Sequence, residues 1–203
     1  MVNPFFDNLD ETLVHAWRLI EQGVNDPRVG AHLPVIATVD EMGFPQVRTV
    51  VLRAARSATR EVIFYTDIRS QKIKDLQHQQ HLVMQFYDHA QKIQVQLKGI
   101  ATIHQQDAIA DQYWQKAKPH SKRAYLVTPG PGEKLLRPGN GLARDLSYRA
   151  PTDTESLPGK KHFAVITIKV SELHWLYLAP FNQRRAKFCW LENQSLTAEW
   201  LVP

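Results

Sequence analysis

The chain has 203 residues, 43% of them hydrophobic, which suits one domain with a sizeable core. No run approaches the roughly 18 apolar residues of a membrane helix, and Met1-Val2-Asn3-Pro4-Phe5-Phe6-Asp7 lacks the basic and apolar regions of a secretory leader, so a cytoplasmic protein is expected. The formal charge of +5 is spread from Arg18 to Lys187 with only pairs such as Lys122-Arg123 and Lys160-Lys161, which favours an anionic small molecule over a polynucleotide, and the single Cys189 excludes an internal disulfide.

Leu9 to Gln22 reads as a helix. Leu9, Leu13, Ala16, Trp17 and Ile20 share a face, Asn8 can cap it with Glu11 three residues on, and Gly23 can end it. Pro34 to Asp40 and Pro45 to Arg53 form a hairpin around Glu41-Met42-Gly43-Phe44. A strand at Glu61 to Thr66 gives way to a short polar helix, Ser70 to Gln79, with Ser70 as its cap, a step that can aim backbone N–H groups and Lys72 at a phosphate. Strands follow at Leu82 to Tyr87 and Lys92 to His104, the second alternating Ile93, Val95, Leu97 against Gln94, Gln96, Lys98. That polar face reads either as solvent-exposed or as a subunit interface.

A helix is predicted from Asp107 to Ala117 and another from Pro119, where proline suits the first turn. Residues 128–161 are punctuated by Pro129-Gly130-Pro131-Gly132, Pro138-Gly139-Asn140-Gly141 and Leu157-Pro158-Gly159, the pattern of a long irregular loop that serves as a binding flap or as surface chain. Strands return at His162 to Val170, Leu173 to Leu178, Arg185 to Leu191 and Ala198 to Val202. Cys189, between Phe188 and Trp190, reads as a small buried apolar residue. His78 and His81 stand three apart but without matching carboxylates or cysteines, so no metal site is expected.

The most informative segment is Gln46 to Arg53. Alternation puts Arg48, Val50 and Leu52 on one side and Thr49, Val51 and Arg53 on the other, so each face carries an arginine beside apolar neighbours. Such a face suits a ligand with a phosphate at one end and a flat apolar ring at the other, the alternative being an edge strand whose arginines lie in water.

Four segments together resemble the FMN-binding split-barrel family that includes pyridoxamine 5′-phosphate oxidase. They are Arg48 to Arg53, matching the family's Arg-x-Val-Leu-Leu-Lys; Phe64-Tyr65-Thr66; Ser70-Gln71-Lys72, in place of Ser-Arg-Lys; and Ile93-Gln94-Val95 leading to Gly99. The resemblance implies a mainly β fold with peripheral helices, a single split β-barrel domain over residues 1–203, and a homodimer with FMN at the interface. It places Arg48 and Lys72 near the flavin phosphate, with Ser70 and Gln71 in the same motif, the backbone of Thr49, Val50, Val51 and Leu52 along the ring with Arg53 at the strand's end, Tyr65 and Thr66 in the same wall, and Gln94 within reach of the flavin.

The departures are specific. Gln71 replaces an arginine, with Arg53, Lys74 and Arg69 at hand to compensate, and Arg53 replaces a lysine. Tyr113 and Ser121 keep the spacing of the family's substrate-phosphate pocket, but its arginine falls on Ala117, next to Lys118. The family's Arg-Leu-His-Asp-Arg-Phe aligns with Gln183-Arg184-Arg185-Ala186-Lys187-Phe188, giving Arg185 and Lys187 as cofactor candidates and Arg184 as a substrate candidate. Trp175 stands one place before the aligned Leu176, which flips the face it serves. These features imply a flavin-dependent oxidoreductase of unknown substrate, distinct from a true pyridoxamine phosphate oxidase; the alternatives are an authentic pyridoxamine/pyridoxine 5′-phosphate oxidase, a non-catalytic flavin-binding or sensing protein, and, last, a nucleic-acid-binding barrel.

Overall fold

The computed structural model describes residues 4–203. A short 3-10 turn, Pro4–Asp7, leads into helix α1 (Leu9–Asn25), whose Asn8 cap accepts the Glu11 N–H at 3.1 Å as the sequence predicts. The helix runs three residues beyond the expected end, and Gly23 lies inside it. A Cβ at Gly23 would sit 2.5 Å from the carbonyl carbon of Ala31, so glycine is there for close approach and not for a left-handed cap.

Strands β1 (Val35–Val39) and β2 (Pro45–Thr49) form the expected hairpin, with Gly43 at φ +86° in the turn. The expected single strand Pro45–Arg53 is in fact two. After β2 the chain leaves β1, passes through Val50 and Val51, and continues as β3 (Leu52–Arg56) against β4 (Glu61–Asp67), with a bulge between Leu52 and Ala54. Alternation does not reveal this switch because Val50 and Leu52 are buried on both sides of it. Then come α2 (Gln71–His78), β5 (His81–Asp88), β6 (Ile93–His104), α3 (Ala108–Lys116) and α4 (Pro119–Lys122).

The segment 128–161 is not irregular throughout, since it holds a 3-10 turn, Asp145–Ser147, and the short helix α5 (Asp153–Ser156) with a Thr152–Glu155 capping box. Strands β7 (Phe163–Tyr177), β8 (Arg184–Trp190) and β9 (Leu196–Leu201) complete the chain. The two strands expected between His162 and Leu178 are one, whose partner changes midway: β4 pairs with residues as far as Lys169, and β8 takes over from Glu172.

All pairings are antiparallel, in the order β2-β1-β5-β6-β7-β4-β3, with β8 and β9 branching from β7. The two ends of that path, β2 and β3, are consecutive in the chain and joined by Val50 and Val51 alone, so the sheet must curl back on itself. The result is a split β-barrel. Its interior holds Ile36, Leu52, Phe64, Met84, Phe86, Leu97, Trp175 and Phe188, and α1 adds Ala16, Trp17, Leu19 and Ile20. A smaller aromatic cluster, Tyr113, Trp114, Tyr125 and Phe163 with Ile63 and Val165, seats α3 outside the barrel. Cys189 is half-buried, not buried as expected, because its neighbour Phe188 takes the core side of β8. Among the described residues, no helix is long and apolar enough to cross a membrane, and no cluster of three or more metal-ligating side chains occurs.

The split is made at Gly99. The β6–β7 register shifts between Lys98 and Gly99, and a Cβ at Gly99 would lie 2.4 Å from the Lys169 carbonyl oxygen. Gly99→Ala is expected to lower stability by about 1–3 kcal/mol through this overpacking. Chemical denaturation is the check, and an unchanged midpoint would contradict the assignment.

Candidate functional site

Three groups of residues emerge, and the sequence-derived candidates divide among them. The first lies where β4 gives way to α2, beside β1 and β2. Lys72 donates to Thr66 Oγ1 at 3.0 Å and to Ser70 Oγ at 3.1 Å, and these hydroxyls are 3.1 Å apart. Ser70 precedes α2 as expected but does not cap it through its side chain; its hydroxyl donates instead to Asp67 O at 2.7 Å. Arg48 donates from Nη1 to Thr38 Oγ1 and Gln46 O and from Nη2 to Asp75 Oδ2 at 3.1 Å. Asp75, with no solvent-exposed side-chain surface, also accepts from Thr38 Oγ1 at 2.6 Å and Gln71 Nε2 at 3.1 Å.

This cradle is basic and partly dry. Burial pushes the Lys72 ammonium below its ordinary pKa, and the Arg48 charge pushes it the same way. Two neighbouring, partly buried cations beside two hydroxyls are a donor set that suits a phosphate, so these residues fit an anionic group such as the phosphate of FMN. Arg69 does not join them, since its guanidinium forks onto Asp67 at 2.9 and 2.7 Å. Val50 and Val51 lie outside both strand ladders, with the Val50 N–H bonded to Pro34 O at 2.9 Å; Thr49 is exposed, Val51 half-buried and Leu52 wholly in the core.

The second group is a separate cavity of about 510 Å³ between α1, α3 and α4. Here the bulge turns Arg53 away from β2, so it joins Tyr65, Tyr113, Ala117 and Ser121. The Arg53 guanidinium lies 5.3 Å from the Tyr65 ring centre, and its buried Nε has no hydrogen-bond partner. Burial pushes the Tyr65 hydroxyl up to about 12 against the opposing pull of Arg53. Arg56 donates to the Tyr113 hydroxyl at 2.8 Å, and Lys116, Lys118 and His120 line the rim. Where the sequence pattern leaves Ala117 in place of an arginine, flanking lysines keep the cavity basic.

The third group is the outer face of β6, β7 and β8. Register sets Gln94 beside Leu176 and Leu176 beside Arg185, while the next row runs Gln96, His174, Lys187. All six are half-buried, and His174 bonds Glu172 at 3.0 Å. Gln94, Arg185 and Lys187 are thus brought together but on the side of the sheet opposite the core. Trp175 points inward, fully buried, on the face opposite that of the aligned Leu176. Arg184 stands apart, with Nε on Asp7 Oδ1 at 3.0 Å. Sequence reading missed Asp75, Thr38, Arg56 and Lys116; only Asp75 gave a signal, falling three and four residues after Lys72 and Gln71 on one helix.

By fold this is a split-barrel protein, with two partly buried cations, Arg48 and Lys72, at the β4–α2 junction. Residues 14–105 match the family model described as pyridoxamine 5′-phosphate oxidase, FMN-binding domain. A pyridoxine/pyridoxamine 5′-phosphate oxidase of Vibrio campbellii is 30% identical over 158 residues, 78% of this chain and 66% of that relative. One from Agrobacterium fabrum is 36% identical over 100 residues, so the matched stretch spans 49% of this chain and 45% of the relative. A pyridoxamine 5′-phosphate oxidase-related, FMN-binding protein from Nostoc punctiforme shares the fold over the whole of both chains, with a TM-score of 0.75 at 20% identity. PhzG from Burkholderia lata, solved with tetrahydrophenazine-1-carboxylic acid, does so over 100% of this chain and 98% of its own, at 0.72 and 16%. The chain belongs to the pyridoxamine 5′-phosphate oxidase-related FMN-binding split-barrel family.

Lys72→Met separates binding from stability. Because the folded-state pKa of Lys72 lies below its ordinary 10.5, the charged form is the one that opposes folding, and stability grows as pH rises through that window. Thr66 and Ser70 keep each other and Asp67 O when the ammonium is removed. The ligand-free variant is therefore expected to melt at a higher temperature than the parent at neutral pH, the gap closing as pH approaches 10.5. A lower melting temperature across that range would show that Lys72 supports the fold.

Proposed function

We propose that this protein binds FMN and serves as a flavin-dependent oxidoreductase acting on a small anionic substrate, as a homodimer. The observation that carries the reading is the pair of adjacent, partly buried cations at the β4–α2 junction, of which Arg48 is paired with Asp75 while Lys72 bonds only the hydroxyls of Thr66 and Ser70 and is left to meet an anion. Lys72, Arg48, Ser70 and Thr66 would hold the phosphate, and the stretch from Thr49 to Leu52, outside or at the end of its ladders, would lie along the ring. FMN when bound supplies the electron transfer, so the chain itself needs no acid–base triad.

The remaining groups have supporting roles in this reading. Arg53, Tyr113 and Ser121 line a cavity whose unpartnered Arg53 Nε and basic rim suit the anionic end of a substrate. Ala117 offers no guanidinium there, and the Arg184–Phe188 segment lacks a histidine, both of which argue against pyridoxamine 5′-phosphate as that substrate. The half-buried polar face carrying Gln94, Arg185 and Lys187 suits a two-fold interface at which one protomer completes the flavin site of the other.

The test is direct. Purified protein incubated with FMN and freed of unbound ligand should stay yellow and release FMN on denaturation; a colourless protein would sink the proposal. Arg48→Ala is expected to weaken FMN binding by at least about tenfold, the scale of a lost charge-assisted hydrogen bond, as read by quenching of flavin fluorescence.

A further inference from the structure

The arrangement beneath the cradle goes further than the presence of two cations. Arg48 carries five N–H donors, of which Thr38, Gln46 O and Asp75 already occupy three. Asp75 is out of solvent and paired only with Arg48 and two neutral groups, Thr38 and Gln71. Of the other bases at hand, Arg69 is neutralised by Asp67, Arg53 faces the separate cavity, and Lys74 is exposed on α2. Lys72 bonds only to the neutral hydroxyls of Thr66 and Ser70.

We propose that Asp75 is a built-in counter-ion that sets the strength of the anion site. By pairing with Arg48 it lowers the net positive charge of the cradle, so a phosphate monoester is held less tightly than Arg48 and Lys72 would hold it without the carboxylate. Asp75 is a positioning residue: it touches no ligand and acts through Arg48. The inference rests on the FMN reading above. It predicts that removing the carboxylate charge while keeping its shape tightens phosphate binding, the opposite of what loss of a purely structural support would do.

Asp75→Asn keeps an oxygen for Arg48 and Thr38, and the Gln71 amide can turn to meet the new amide. Fluorescence titrations with FMN and with riboflavin, which lacks the phosphate, isolate the charge effect. The variant is expected to bind FMN about tenfold more tightly than the parent at low salt, with a steeper loss of affinity as salt is raised and no change toward riboflavin. Asp75→Ser, which keeps a neutral oxygen acceptor for Arg48 and Thr38, is expected to act in the same direction and decides the matter if Asp75→Asn does not fold by circular dichroism. Equal or weaker FMN binding by the folded variant, or an equal gain for riboflavin, overturns the inference. No FMN binding by the parent removes the FMN reading and the inference with it, whereas FMN binding by the parent with no gain in the variant overturns the inference alone.

Discussion

Asp75 has no solvent-exposed side-chain surface, and a carboxylate in that position needs several hydrogen-bond donors around it. Those donors come from three elements: Thr38 on β1, Arg48 on β2 and Gln71 at the start of α2. The hairpin and the helix are therefore fixed to each other by charge as well as by the packing of Ile73 and Leu76 into the core. Lys72 lies one residue after Gln71, so the network that locks α2 in place also sets where the Lys72 ammonium stands relative to Arg48. Fold and candidate site share this one cluster.

The second constraint is the closure of the barrel through Val50 and Val51. Because the chain changes partner strand there and a bulge follows, Arg48 and Arg53, five residues apart, end in different surroundings: one against Asp75, the other over Tyr65. A continuous strand would have held them on opposite faces of the one β1–β2 hairpin. The switch instead carries Arg53 to a cavity of about 510 Å³, where its Nε is unpartnered, while Arg48 stays hydrogen-bonded to Thr38, Gln46 O and Asp75. A flavin phosphate and a substrate anion need such separation, since like-charged groups held side by side repel.

Much of this was legible in the sequence where the determinants are local. The Asn8 cap, the Gly43 turn and the inward Ile93, Val95 and Leu97 of β6 follow from spacing of a few residues. The non-local features were not legible. The break at Val50 is masked by unbroken alternation, and β7 was divided because its polar Ser171 and Glu172 mark a change of partner strand, not an end of strand. Gly23 looked like a terminator because its real neighbour, Ala31, is brought near only by tertiary packing. At the site, Lys72, Arg48, Thr66 and Ser70 were identified from motif positions, whereas Asp75 was not, because it meets Thr38 across 37 residues and Arg48 across 27.

The most direct test of the account is a crystal structure of the protein grown with FMN. The account predicts the flavin phosphate within hydrogen-bond distance of Lys72 Nζ and the remaining donors of Arg48, with Asp75 still paired to Arg48. A phosphate seated instead in the cavity of Arg53, Tyr113 and Ser121, or crystals without flavin, would contradict it.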